Sequence, residues 1–267
     1  MSDLRPVTDS AALWFGVYGV LLALGSPRLL FLHEPTAMFT WTFFCLVVCV
    51  VGLTWRLCGV TARMAGWGPG TLGLACAFAL AFICPNVAVL VPVHGFLLIG
   101  GGILLGRFLG QHWTDPSHLW PLVLVAMSFD LWSVFAAQGL THHVVESTQS
   151  VDAPLISALM LSLPIPGIGI SPLLGIGDVV FSAFVVGGVV TLGLSIRRVL
   201  AGLTVGLLFT LASLLLLRMP IPALPLIGPM MALALGRSVR PRFRDLASAV
   251  LFIIVGLGCL HWGLGPG

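Results

Sequence analysis

The chain has 267 residues, of which 58% are hydrophobic and only 8% are charged. Soluble domains carry about 25% charged residues, so this chain has too little charge to cover a water-facing surface. The composition excludes an ordinary soluble enzyme and predicts a polytopic membrane protein. The net charge of +3 comes from arginines scattered over several connections, which indicates orientation in a bilayer rather than nucleic-acid binding.

Apolar segments of about 20 residues, long enough to span a bilayer, follow one another along the chain. We predict transmembrane helices at residues 11–32, 37–57, 71–109 (two helices), 119–138, 168–194, 199–217, 221–235 and 246–264. The stretch 71–109 is too long for one crossing, and Pro85, Pro92 and His94 interrupt it. The predicted fold is therefore an all-α polytopic bundle of about nine transmembrane helices.

The arginines also predict how the bundle is oriented. If the N-terminus lies in the cytoplasm, all twelve arginines except Arg28 and Arg218 fall on the cytoplasmic side, in agreement with the positive-inside rule. The C-terminus and the connection 139–167, which has no arginine, then face outward. Within that connection, the apolar stretch 154–163 is too short to cross and is predicted to be re-entrant or interfacial.

Two acidic residues, Asp130 and Asp178, lie inside predicted transmembrane helices, whereas the other seven of the nine lie in tails or connections. An ionised aspartate is costly in hydrocarbon, so each of the two is a candidate functional residue. If folding brings them together, both cannot ionise easily and one keeps its proton. One carboxylate could then activate water while the other protonates a peptide carbonyl oxygen. Alternatively, polar groups could satisfy each aspartate separately, or the pair could relay ions in a transporter.

Other intramembrane chemistries lack a motif in this chain. No HExxH sequence supports a zinc protease, and no GxSxG surrounds a membrane-embedded serine. The six cysteines form no CxxC pair and are interpreted as packing residues. We therefore expect neither a metal nor a cofactor.

A proline-rich turn precedes the helix predicted at 221–235, because Pro220, Pro222 and Pro225 fall within six residues. Proline fixes φ and has no N–H to donate, so this stretch is stiff. At membrane depth, irregular backbone is tolerated only where it is buried in protein or lines a wet cavity. The turn is either a simple helix start or part of a site.

Three short motifs now stand in order along the chain: Phe129-Asp130, Gly175-Ile176-Gly177-Asp178 and Pro222-Ala223-Leu224. Together they resemble the Tyr-Asp, Gly-x-Gly-Asp and Pro-Ala-Leu motifs of presenilin and signal peptide peptidase, the intramembrane aspartyl proteases. The resemblance covers about residues 119–235.

The resemblance implies a presenilin-like core in which Asp130 and Asp178 form the catalytic dyad. Gly175 and Gly177 would allow close backbone approach beside Asp178. Pro222, Ala223 and Leu224 would shape the site and help to hold the substrate as an extended strand. The chain departs from the family in three ways: Phe129 replaces the tyrosine, four helices rather than five precede the Asp130 helix, and one helix follows the Pro-Ala-Leu helix.

The expected function is that of a prokaryotic intramembrane aspartic endopeptidase in the cytoplasmic membrane. It would cut single-pass transmembrane helices or signal-peptide remnants, and the predicted orientation favours substrates whose N-terminus lies inside. Its predicted parts are N-terminal helices at 1–117, a catalytic core at 118–236, and a basic loop with a last helix at 237–267. The alternative is a non-proteolytic transporter or helix-binding protein that uses the aspartate pair as a proton relay.

Overall fold

The computed structural model describes residues 35–59, 67–83, 91–136, 159–165, 169–217 and 221–263. The described chain is mostly helical and contains eight α-helices and one two-stranded antiparallel sheet. Its contacts define two compact units, Met1–His112 with Pro154–Thr191, and Trp113–Ala153 with Leu192–Gly267. The parts predicted from the sequence at 1–117, 118–236 and 237–267 were defined by their expected functional roles, whereas these two units are defined by contacts. The three predicted parts therefore stay a prediction.

The helices agree with most of the predicted spans. They are α1 (Pro35–Gly59), α2 (Trp67–Ile83), α3 (Val91–Gly110), α4 (Leu119–Phe135), α5 (Ile176–Thr191), α6 (Ile196–Leu217), α7 (Leu224–Leu235) and α8 (Phe243–Gly263). Four segments of the described chain are long and apolar enough to cross a membrane: Phe39–Cys58, Val93–Gly110, Pro116–Phe135 and Ile196–Leu217. The division of 71–109 into two helices is confirmed. The predicted helix at 11–32 lies outside the described residues, so the total of nine stays a prediction.

In the first unit, α3 packs against α1, α2 and α5. Gly102, Gly106 and Gly110 recur every four residues on α3 and face α5, where a Cβ on Gly102 would lie 2.7 Å from Ile176 Cδ1. At Gly106 and Gly110, added Cβ atoms would meet backbone carbonyl oxygens of α5. Small residues at this spacing let two helices approach closely without side chains between them. Helices α3 and α5 therefore pack closely through these glycines.

A β-hairpin precedes α5 and corrects two predictions from the sequence. Strand β1 (Met160–Ile165) pairs with β2 (Gly169–Gly175) in antiparallel register, and an irregularity lies between Leu161 and Ser162. The helix predicted at 168–194 therefore begins only at 176, and the fold is not purely α-helical. The physical reason is Pro172, which cannot donate a helix hydrogen bond and pairs with Ser162 beside the irregularity, where a strand tolerates proline.

The apolar stretch 154–163, predicted to be re-entrant or interfacial, is described only from residue 159 onward. Residues 160–163 belong to β1. Strand β1 also packs against α1 and α3. This part of the stretch is therefore half of a hairpin that leads into α5.

The second unit is built from α4, α6, α7 and α8. Helix α7 packs against α6 and α4, and α8 packs against α4. Gly206 of α6 allows the close approach of α7, because a Cβ there would lie 2.6 Å from Ile227 Cα. At one end, Ser117 Oγ donates to Asp245 Oδ2 at 3.1 Å, which ties the turn before α4 to the start of α8.

Candidate functional site

The first candidate aspartate, Asp130, lies on α4 and contacts the Pro-Ala-Leu turn. The backbone N–H of Leu224 donates to Asp130 Oδ2 at 3.0 Å. The two residues are 94 positions apart in the sequence, so the bond is a tertiary contact between α4 and the first residue of α7. The structure thus brings together Asp130 and the Pro-Ala-Leu motif, which the sequence linked only by resemblance.

The donors at the start of α7 explain why a carboxylate suits this place. The first N–H groups of a helix have no partner within the helix. Pro225, the second residue of α7, has no N–H, and the N–H groups of Leu226 and Ile227 both donate to the carbonyl oxygen of Ala223, at 3.0 and 2.9 Å. Leu224 carries the remaining donor, and Asp130 accepts its hydrogen bond. Burial of Pro222 and Ala223 fixes the turn beside it.

The neighbour of Asp130, Phe129, packs against α8. A Cβ on Gly256 would lie 2.8 Å from Phe129 Cζ and 3.7 and 3.8 Å from its two Cε atoms, so Gly256 lies straight ahead of the end of the ring. The Phe252 ring lies beside it, with centroids 6.2 Å apart. A tyrosine hydroxyl on Cζ would point into the backbone of α8. The phenylalanine in place of the expected tyrosine therefore has a packing reason in this chain.

The second candidate aspartate, Asp178, is the third residue of α5 and lies directly after the hairpin. Its Oδ2 accepts a hydrogen bond from the N–H of Gly175 at 3.2 Å. A carboxylate in the third helical position that reaches back to the residue before the helix is the acidic half of a capping box. Negative charge is also favoured at a helix N-terminus by the helix dipole. The Gly-x-Gly-Asp motif thus forms the junction between β2 and α5.

The two glycines of that motif have room around them. A Cβ on Gly177 would have nothing within 4 Å, and a Cβ on Gly175 would lie 3.5 Å from Asp178 Oδ2, an ordinary contact. Packing among the described residues therefore does not require a glycine at either position. The close backbone approach beside Asp178 that the resemblance implies stays a prediction.

Each aspartate is thus grouped with one of the other motifs. Asp130 and Phe129 join the Pro-Ala-Leu turn in the second unit, whereas Asp178 joins Gly175, Ile176 and Gly177 in the first. Each carboxylate accepts a hydrogen bond from a backbone N–H. This agrees with the alternative in which polar groups satisfy the two aspartates separately. Within the described ranges, no group of three or more His, Cys, Asp or Glu side chains could hold a metal ion.

Sequence reasoning missed two features that position these residues. Strand β2 was taken for the start of a helix, and most of β1 for a re-entrant or interfacial segment, although Pro164 and Pro172, with glycines at both ends of β2, could have signalled strands and a turn. The contact between Gly256 and Phe129 left no signal in the sequence, because the glycine lies in an apolar run like any other.

Comparisons of the chain with protein-family models, with curated proteins and with solved structures find no match.

Proposed function

We propose that this protein is an intramembrane aspartic endopeptidase with Asp130 and Asp178 as its catalytic pair. The observation that carries the proposal is the hydrogen bond from Leu224 N–H to Asp130 Oδ2. Three motif matches in order do not by themselves require any contact between them. A direct bond between the first and the third, across 94 residues of sequence, is support of an independent kind.

The chemistry assigned to the pair is general acid–base hydrolysis. One carboxylate takes a proton from water, the water oxygen attacks the peptide carbonyl carbon, and the other carboxylic acid donates a proton to the carbonyl oxygen. The C–N bond then breaks, the amine leaves with a proton, and the roles of the two acids exchange. The bond from Leu224 holds one oxygen of Asp130 in place, and the proposal assigns the other oxygen to water or substrate.

The hairpin offers a way to present the peptide bond. A helical substrate hides its scissile amide, whereas an extended one exposes it. Among the described residues the sheet has only β1 and β2, so each strand has one edge to which no further strand is paired. An extended peptide can add to such an edge through backbone hydrogen bonds. Since β2 ends at Gly175, which bonds Asp178, an added strand would run toward that carboxylate.

The proposed substrates are single-pass transmembrane helices or signal-peptide remnants within the same bilayer. Four apolar helices of the described chain are long enough to cross a membrane, which supports a location in a membrane. We assign it to a prokaryotic cytoplasmic membrane with the N-terminus inside and the C-terminus outside, on the distribution of its arginines.

Cleavage of a single-pass transmembrane substrate by the purified protein in detergent tests the proposal. Wild type is compared with Asp130→Asn, Asp178→Asn and the double variant. Two residues that act as one unit are non-additive, so each single variant should abolish cleavage as completely as the double. A peptide isostere with a hydroxyl in place of the scissile carbonyl should block the wild type.

Asp115→Asn is the matched control, because Asp115 is an aspartate of the second unit that lies outside the membrane-length helices. This variant should keep the cleavage activity. Cleavage that persists in Asp130→Asn or in Asp178→Asn would refute the catalytic pair. The transporter alternative predicts pH-dependent flux in liposomes, sensitive to both variants, with no cleavage at all.

A further inference from the structure

A cluster of arginines lies in the connection between α7 and α8 and in the first turn of α8. Arg237, Arg240, Arg242 and Arg244 fall within eight residues, and all four are exposed. Arg242 forms an ion pair with Asp115, with 2.9 Å between Nη2 and Oδ2. For the other three guanidinium groups, the structure shows no ion pair with any residue it describes. Three positive charges are therefore available to an external anion.

The backbone that carries these arginines is held in place from within. Val239 is 1% exposed and anchors the middle of the connection. The ion pair of Arg242 fixes its later part, and the bond from Ser117 to Asp245 fixes the first turn of α8. The charged side chains are thus presented from a fixed segment, which reduces the conformational entropy that a ligand must overcome on binding.

An exposed aromatic residue stands within the cluster. Phe243, the first residue of α8, lies between two of the arginines and is 87% exposed. From residue 250 to residue 255 the exposed side chains of α8 are apolar: Val250, Leu251, Phe252, Ile254 and Val255. The segment therefore changes from cationic, through an aromatic residue, to apolar along one helix, as expected where a helix passes from headgroups into acyl chains.

We propose that Arg237, Arg240, Arg244 and Phe243 form a binding site for the headgroup of an anionic phospholipid. Arginine binds phosphate through two parallel N–H···O bonds, and its fork geometry matches the phosphate oxygens. Basic clusters next to a transmembrane helix attract anionic lipids. Phe243 anchors the segment at the level where the headgroup meets the acyl chains. The site does not depend on the proposed protease activity.

A lipid titration of the full-length protein tests the site. The protein, in a neutral detergent, receives dioleoyl-phosphatidylglycerol or dioleoyl-phosphatidylcholine, and the melting temperature is recorded against lipid concentration. We expect phosphatidylglycerol to raise the melting temperature at lower concentrations than phosphatidylcholine. Each arginine near a membrane surface contributes about fivefold in affinity, so Arg240→Gln with Arg244→Gln should shift the phosphatidylglycerol midpoint about 25-fold upward.

The matched control removes two other exposed arginines, Arg197 and Arg198 at the start of α6, and should leave the midpoint nearly unchanged. An equal shift in both double variants would overturn the site and indicate general charge attraction. Equal responses to the two lipids would also overturn it, as would an equal response to inorganic phosphate at the same concentration. Phe243→Ser should weaken the response, and an unchanged response would refute the interfacial anchor.

Discussion

The fit between α4 and α8 can be tested with one methyl group. In Gly256→Ala the new Cβ would lie 2.8 Å from Phe129 Cζ, far inside the favourable carbon–carbon distance of about 3.5–4.0 Å. Overpacking of this kind costs about 1–3 kcal/mol. Replacing glycine by alanine in a helix interior also stabilises the helix by about 1 kcal/mol. The net change in the free energy of unfolding is therefore smaller than the cost of the overpacking alone.

Gly258→Ala separates the two effects, because Gly258 lies on the same helix and a Cβ there would have nothing within 4 Å. We expect Gly256→Ala to have a free energy of unfolding about 1–3 kcal/mol lower than Gly258→Ala. Reversible unfolding in mixed micelles measures this difference. Equal stabilities would refute the contact, since they would mean that the Phe129 ring and α8 separate without cost.

A double-mutant cycle identifies the partner of the new methyl group. Phe129→Leu removes the ring atoms that Gly256 faces, so the penalty of Gly256→Ala should nearly vanish in the Phe129→Leu background. Residues in direct contact give coupling energies of about 0.5–3 kcal/mol. Additive effects of the two changes would place the strain elsewhere.

Three further predictions concern hydrogen bonds, helix packing and charge. Asp130→Asn keeps an acceptor oxygen for the N–H of Leu224 but Asp130→Ala does not, so the alanine variant should unfold about 1–3 kcal/mol more easily than the asparagine variant in mixed micelles. Gly106→Ala places a methyl group against the α5 backbone whereas Gly100→Ala meets open space, so only the first should lower the melting temperature. A hydrogen bond from a backbone N–H lowers the pKa of Asp115, so the stability that its charged form contributes is complete above its usual pKa and is lost as the pH falls through the lowered one. The difference in melting temperature between wild type and Asp115→Asn should therefore shrink below about pH 4.

Hydropathy predicted most of the helices because the chemistry of a bilayer allows few other solutions. An apolar run of spanning length must satisfy its backbone groups internally, and a helix does so within one segment. The helices α1, α4 and α6 accordingly agree with the predicted spans at 37–57, 119–138 and 199–217 to within a few residues. The observed helix ends differ from the predicted ones because hydropathy carries no information about the capping contacts at a helix end.

The hairpin could not be predicted in the same way. The residues of β1 are as apolar as those of α5, and a short apolar run does not reveal its period. Pro172 and the glycines at both ends of β2 break a helix locally, but only pairing with β1 decides that the result is a strand. The dipeptide Pro166-Gly167 signals a turn in the sequence, but it does not fix the register of the pairing.

The sequence named the members of the candidate site, which stay a prediction, but it did not indicate the hydrogen bond between Asp130 and Leu224. The order of the motifs singled out Asp130 and Leu224, yet nothing in the sequence indicates that a backbone N–H would be the group to meet the carboxylate. The reason becomes visible only from the prolines, since Pro225 removes one donor and leaves Leu224 to donate from the start of α7. Packing among the described residues does not require the glycines beside Asp178.

Both aspartates accept a backbone N–H, Asp178 at the start of its own helix and Asp130 at the start of another. A carboxylate in such a position can have either of two roles, and the two roles require different properties of the side chain. Holding an N–H requires only an acceptor oxygen, which asparagine also provides, whereas acid–base catalysis requires a group that gains and loses a proton. If the aspartates only hold helix ends, asparagine at both positions leaves stability and any activity intact. If they catalyse hydrolysis, asparagine leaves stability intact and removes activity, so measuring the two quantities on the same variants decides between structure and chemistry.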